Sequence, residues 1–158
     1  MKKYIRYFLI LALITLVVMQ FIRPEKNSGG YESLVAFEAE TKPSDEIKGI
    51  LKNNCYDCHS NQTEYPWYAE IAPISYWLDD HVRHGKGDFN MSKWAEYSVK
   101  KRDHKLEELI EEVEEGEMPL NSYTWMHGNL SEEDKETLIQ WATLARMQYA
   151  DQLKVSGE

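Results

Sequence analysis

The sequence predicts an all-α protein, with one apolar N-terminal helix followed by a helical domain. Three observations carry that prediction. Tyr7 to Ile22 reads YFLILALITLVVMQFI, broken only by Thr15 and Gln20. Downstream, apolar residues recur at helical spacing in several stretches whose ends carry capping residues. No pair of stretches alternates apolar and polar residues as strands do.

At 158 residues and 18.6 kDa the chain is long enough for one domain with a modest core. Hydrophobic residues at 42 % and charged residues at 28 % fit a globular protein and exclude a disordered one. Two cysteines exclude a disulfide scaffold. A net charge of −9 excludes nucleic acid as a partner, because phosphate contacts need clustered Lys and Arg. That charge is unevenly spread. Residues 1–27 hold Lys2, Lys3, Arg6, Arg23 and Lys26 against Glu25, so the rest is strongly acidic.

As a helix, the sixteen residues from Tyr7 would span about 24 Å. Tyr4 and Ile5 lengthen the segment, and Lys3, Arg6 and Arg23 can reach its interfaces. A basic start followed by an apolar run is the pattern of a secretion signal, yet no small-x-small cleavage site follows Val18. The expectation is therefore an uncleaved signal-anchor over 1–27. Residues 4–23 would cross the cytoplasmic membrane once, leaving the N-terminus in the cytoplasm and the domain in the periplasm or another extracytoplasmic space. A cleaved signal peptide is the alternative. Pro24, the Ser28-Gly29-Gly30 run and mixed charge mark 28–43 as a tether, with some strand character over Tyr31–Phe37. The domain is expected over 44–150, with a tail over 151–158.

Within the domain, Ser44 can cap a helix that carries Ile47, Ile50 and Leu51 on one face and runs into Cys55. A second helix follows Pro73 with Ile74, Trp77, Leu78, His81 and Val82 on one face and Gly85 as its stop. Ser92 opens a third, with Trp94 and Tyr97 inward. Leu106, Leu109, Ile110 and Val113 continue the pattern to Gly116, opposite a Glu-rich face. Ser131 and Asp134 form a capping box for the last helix, whose inner face is Leu138, Trp141, Ala142, Ala145 and Tyr149.

Both cysteines fall in Cys55-Tyr56-Asp57-Cys58-His59. Cys-x-x-Cys-His is the attachment sequence of c-type haem. Two thiols three residues apart can reach the two vinyl groups on one porphyrin edge, and the histidine that follows can ligate the iron. A thioredoxin-type pair would want strands around it, and zinc would need two further ligands from His81, His84, His104 or His127. The expected cofactor is one covalently bound haem c, held by Cys55 and Cys58 with His59 as the proximal ligand. Candidates for the sixth position are Met118, Met126, Met91, His81 and His127. Met118 leads, since Pro119 keeps it out of helical backbone. Tyr65-Pro66-Trp67-Tyr68 could line the pocket, and Arg83 could offset a propionate.

A helix running into Cys-x-x-Cys-His, a Met-Pro loop and a closing C-terminal helix together resemble class I cytochromes c. Cys55–Asn61, Tyr65–Tyr68, Trp77, His81, Gly116-Glu117-Met118-Pro119-Leu120, Ser122-Tyr123, Met126-His127, Leu130-Ser131 and Trp141-Ala142 resemble more closely a small bacterial haem-binding domain family. That resemblance covers roughly 36–150 and implies haem binding, with no defined reaction or partner. The expected fold is thus a cytochrome c-like helical domain around one haem. The expected role is an electron carrier, not an enzyme, serving unidentified redox partners. A haem-based sensor or a peroxidase-like module with a displaceable distal ligand is the alternative.

Overall fold

The computed structural model describes residues 1–156. Every regular element is helical: α1 (Lys2–Met19), α2 (Val35–Thr41), α3 (Asp45–Asn54), α4 (Tyr56–His59), α5 (Ile74–Asp88), α6 (Val99–Glu115), α7 (Asn121–His127) and α8 (Glu132–Ser156). Short 3-10 turns lie at Tyr31–Leu34, Trp67–Glu70 and Met91–Glu96. Among the described residues the nearest thing to a strand is one bridge between Ser28 and Gln62.

The capping logic of the sequence is realised at both ends of the domain. Ser44 accepts from Ile47 N at the start of α3, and the Ser131 hydroxyl accepts from Asp134 N at the start of α8. Gly116 ends α6 in left-handed backbone at φ 75°, a conformation that costs glycine nothing. The core joins Ile47, Ile50 and Leu51 of α3 to Leu106 and Val113 of α6 and to Leu138, Trp141, Ala142, Ala145 and Tyr149 of α8. α6 and α8 pack along one another. Arg146 bridges them through paired bonds to Asp103 and a third to Glu107.

Several expectations are overturned. No helix among the described residues is long and apolar enough to cross a membrane. α1 begins at Lys2 and stops at Met19, so Lys2, Lys3 and Arg6 occupy its first turns. Only the thirteen residues from Tyr7 to Met19 remain apolar helix, about 20 Å against a hydrocarbon core of about 30 Å. Gln20 leaves the helix to exchange a pair of hydrogen bonds with the Ala72 backbone. The single-pass signal-anchor and the localisation drawn from it are withdrawn.

The supposed tether is part of the domain. Leu34 and Phe37 are fully buried, and Phe37 meets Trp94 and Trp141 edge to face at 5.1 and 6.0 Å. Glu40 then takes two bonds from Arg102 on α6 and one from Tyr149 on α8, while Trp141 Nε1 donates to the Thr41 carbonyl. Polar residues around two apolar anchors concealed this helix from a periodicity reading. At the other end, the tail expected from residue 151 continues α8 through Ser156, and residues 157–158 lie outside the described residues.

Gly85, finally, does not stop its helix: α5 runs on to Asp88. The third predicted helix is a 3-10 turn opened by Asn90, whose side chain accepts from Ser92 N. Ser98, which went unnoticed in the sequence, caps α6 by accepting from Lys101 N.

Candidate functional site

The site is built on α4, a single turn carrying Cys58 and His59 directly behind Cys55. Gly85 explains why α5 can lie against it. A Cβ at residue 85 would stand 2.7 Å from the Cys58 carbonyl oxygen and 3.0 Å from Cys58 Cβ, so only glycine permits this approach. Gly85→Ala is expected to lose about 1–3 kcal/mol, the usual cost of overpacking, and to push α4 out of place. Thermal unfolding of the variant checks this, with Gly87→Ala, where a Cβ meets open space, as the control.

His59 is held in one orientation. Its Nδ1–H donates to the Phe89 carbonyl at 2.9 Å, which fixes the tautomer and leaves Nε2 with its lone pair. Burial holds the imidazole below the ordinary histidine pKa, although its backbone hydrogen bonds work the other way. A neutral imidazole is the form that ligates a metal. Burial also pushes the Cys55 thiol up to about 12 and the Cys58 thiol to about 11, so both are protonated at neutral pH. They are free thiols, not a disulfide.

Met118 is brought to the same place by the end of α6. Beyond Gly116 the chain folds back, and the Glu112 carbonyl accepts from both Glu117 N and Met118 N at 2.9 and 3.0 Å. Past Met118, α7 is fastened to the Cys-x-x-Cys segment by the Tyr123 hydroxyl, which meets the Asn53 carbonyl and Asp57 Oδ2, each at 2.9 Å. Asp57 uses its other oxygen to accept from Glu64 N. Asp57 and Tyr123 are thus the clamp that seats this loop. Asp57 carries no separate signal between the cysteines, and Asn121–His127 is too short for an apolar periodicity to mark the helix that holds Tyr123.

Two clefts meet over these residues. The larger, about 440 Å³, is lined by Cys55 and by apolar Phe89, Met91, Leu109, Val113, Leu130 and Leu138. The smaller, about 280 Å³, carries Cys58 with Asp57, His81, His84, Gly85 and Tyr123. His59, Met118 and Pro119 line both. Cys55, Cys58, His59 and Met118, separated by up to 63 positions in the chain, are therefore neighbours around one bipartite space.

The other sequence candidates are sorted by the same geometry. His81 lines the smaller cleft, its Nδ1 bonded to the Trp77 carbonyl and its ring against Trp77. His127 lines neither cleft. It stacks on Tyr123 at 4.0 Å and, with exposed Met126 and with Tyr65, Pro66 and Tyr68, borders a third, minor hollow beside Cys58. Met91 is a core residue on the wall of the larger cleft. Trp67 is exposed, and Arg83 pairs with Asp80 at the surface. His104 pairs with Glu107 and Glu108.

The donor set fits a haem better than a bare ion. Among the described residues no group of three His, Cys, Asp or Glu side chains could hold a metal ion. A haem iron brings four nitrogens of its own and asks the protein for one or two further ligands, which His59 and Met118 could supply. The larger cleft beside them combines apolar side chains with charged ones of α6 such as Lys105 and Glu112, and the smaller is lined mostly by polar residues. No curated protein and no solved structure matches the chain. A family model described as a haem-binding domain matches residues 14–144, which includes the supposed tether and all of the site residues, and the chain belongs to that haem-binding domain family.

Proposed function

We propose that the protein is a mono-haem electron carrier of the c type, with haem joined covalently to Cys55 and Cys58 and the iron held between His59 and Met118. The observation that supports this most directly is that His59 and Met118 line both clefts, with one cysteine on each. Cys55 and Cys58 would hold the group through thioethers, each thiol adding across one vinyl group with its hydrogen going to the vinyl carbon, which needs no oxidant. When bound, the haem would supply a one-electron couple, with the His59 imidazole and the Met118 thioether as its protein ligands, a pair that favours the reduced form. The chain's own part is to hold both ligands still. His59 is tied to Phe89 and Met118 to Glu112, so little rearranges as charge changes in a low-dielectric surrounding. The reading is a carrier for redox partner proteins, with no substrate of its own.

The test is the oxidised and reduced visible to near-infrared spectrum of protein carrying covalent haem. The expected result is a low-spin c-type spectrum with the weak sulfur-to-iron charge-transfer band when oxidised, a band that Met118→Ala abolishes. His81 favours the second reading, a ligand-binding sensor, because it alone of the remaining histidine candidates for the sixth position lines a cleft with His59. Ready carbon monoxide binding by the reduced wild-type protein, with Met118→Ala changing little, would select the sensor and sink the carrier.

A further inference from the structure

We infer that Asn90 is a positioning residue for the His59 imidazole, and that through the Phe89 carbonyl it sets the reduction potential of an iron ligated at His59. This rests on the reading of His59 as an axial ligand.

Phe89 stands between α5 and the Met91–Glu96 turn, in extended backbone at φ −141°, ψ 118°. Its carbonyl is the acceptor for His59 Nδ1–H, and no helix fixes where that oxygen points. The segment is fixed instead by Asn90. That side chain, 1 % exposed, donates from Nδ2 to Asn61 Oδ1 at 3.1 Å and accepts on Oδ1 from Ser92 N at 3.0 Å. Its backbone N donates to the Tyr97 hydroxyl at 3.1 Å. Asn61, two residues beyond His59, donates its own N to Ser92 Oγ at 2.8 Å, and Ser92 Oγ meets Ser33 Oγ at 2.8 Å.

These bonds close a circuit. It runs from the His59 ring to the Phe89 carbonyl, through the Asn90 amide to Asn61, and back along two peptide units to His59. A residue needed only to cap the Met91–Glu96 turn would require Oδ1 alone. The Nδ2 bond to Asn61 ties the segment that carries the Phe89 carbonyl to the segment that carries His59. Such partners of a ligating imidazole orient the ring and raise its basicity, which favours the more oxidised metal. Slackening the circuit lets the Nδ1–H bond lengthen, and the ferrous form gains.

Asn90→Ala and Asn61→Ala test this in the full haem-bearing chain. Asn61→Ala removes only the acceptor side of the cross-link and keeps the turn cap, so it carries the test should Asn90→Ala not fold. Each is expected to raise the midpoint potential by about tenfold in the ferrous-to-ferric ratio, ~59 mV for one electron. Each should also speed solvent exchange of the His59 Nδ1 proton, read by nuclear magnetic resonance. Asn27→Ala is the structural control. Asn27 bonds the Ser60 carbonyl and Thr63 Oγ1 on the other flank of the same loop without touching Phe89. It should lower the melting temperature while leaving potential and exchange unchanged. Wild-type potential and exchange in both Asn90→Ala and Asn61→Ala would overturn the inference, as would an equal shift in Asn27→Ala. His59→Ala separates the two levels of argument: if it keeps the low-spin spectrum, the ligand assignment fails and this inference with it. If it loses that spectrum while the asparagine variants stay wild-type, only the inference fails.

Discussion

Cys55→Ser combined with Cys58→Ser is expected to abolish covalent haem completely: the wild-type chain keeps its haem colour through denaturing electrophoresis, and the double variant runs without it. Each single variant should retain haem through the remaining thioether, with the reduced α-band moved to longer wavelength because one vinyl group stays unsaturated. The fold itself should persist in all three. Both cysteines are only partly buried and line the clefts, and serine keeps their size, so the stability lost is about 1 kcal/mol. Haem surviving denaturation of the double variant would show that some other residue makes the bond. It would remove the c-type assignment while leaving family-level haem binding intact.

Phe37→Ala should be the most damaging single truncation outside the site. The ring is 0 % exposed and packs edge to face between Trp94 and Trp141, with Phe89 near at 6.5 Å. Removing it leaves a cavity that three large aromatic neighbours cannot close by small rotations, and the expected loss is about 3–5 kcal/mol. For a domain of this size that lowers the melting temperature by roughly 10–20 °C. Val35, two residues earlier and exposed, is the contrast: Val35→Ala should change stability by less than about 0.5 kcal/mol. Chemical denaturation of both variants gives the comparison. Equal, small effects would return residues 28–43 to the status of a tether.

These two expectations differ in how they could be found. Cys55, Cys58 and His59 are adjacent in the chain, and their chemistry is set by spacing alone, so sequence sufficed to nominate them. Met118 needed one more inference, from proline restricting its backbone. The helices α3, α6 and α8 were legible because their apolar faces repeat at 3.6 residues over several turns, and α3 and α8 also begin with recognisable serine caps. Phe37 was not, since α2 has only two turns and shows one core-facing aromatic among Glu38, Glu40 and Thr41. Gly85 was read for its conformational freedom when what mattered was the absence of a side chain against Cys58. Asn61 and Asn90 carry no periodic signal at all. Their roles exist only once α5 has brought residue 90 beside residue 61. The apolar N-terminal run was over-read, because hydropathy registers composition but not where a helix stops or which cations its first turns contain.

The bonds from Trp141 to Thr41 and from Tyr149 to Glu40 join parts of the chain 100 and 109 residues apart. Synthesis proceeds from the N-terminus at about 5–20 residues per second, so α2 waits roughly 5–20 s on the ribosome before α8 emerges to receive it. For most of that interval the Cys55–His59 segment has been made, while the helix that completes its supporting core has not. Once α8 docks, the thiols sit half-covered with their protons held tightly. Vectorial synthesis thus leaves the cysteines of the nascent chain less covered than in the completed fold, for a period set by their distance from α8.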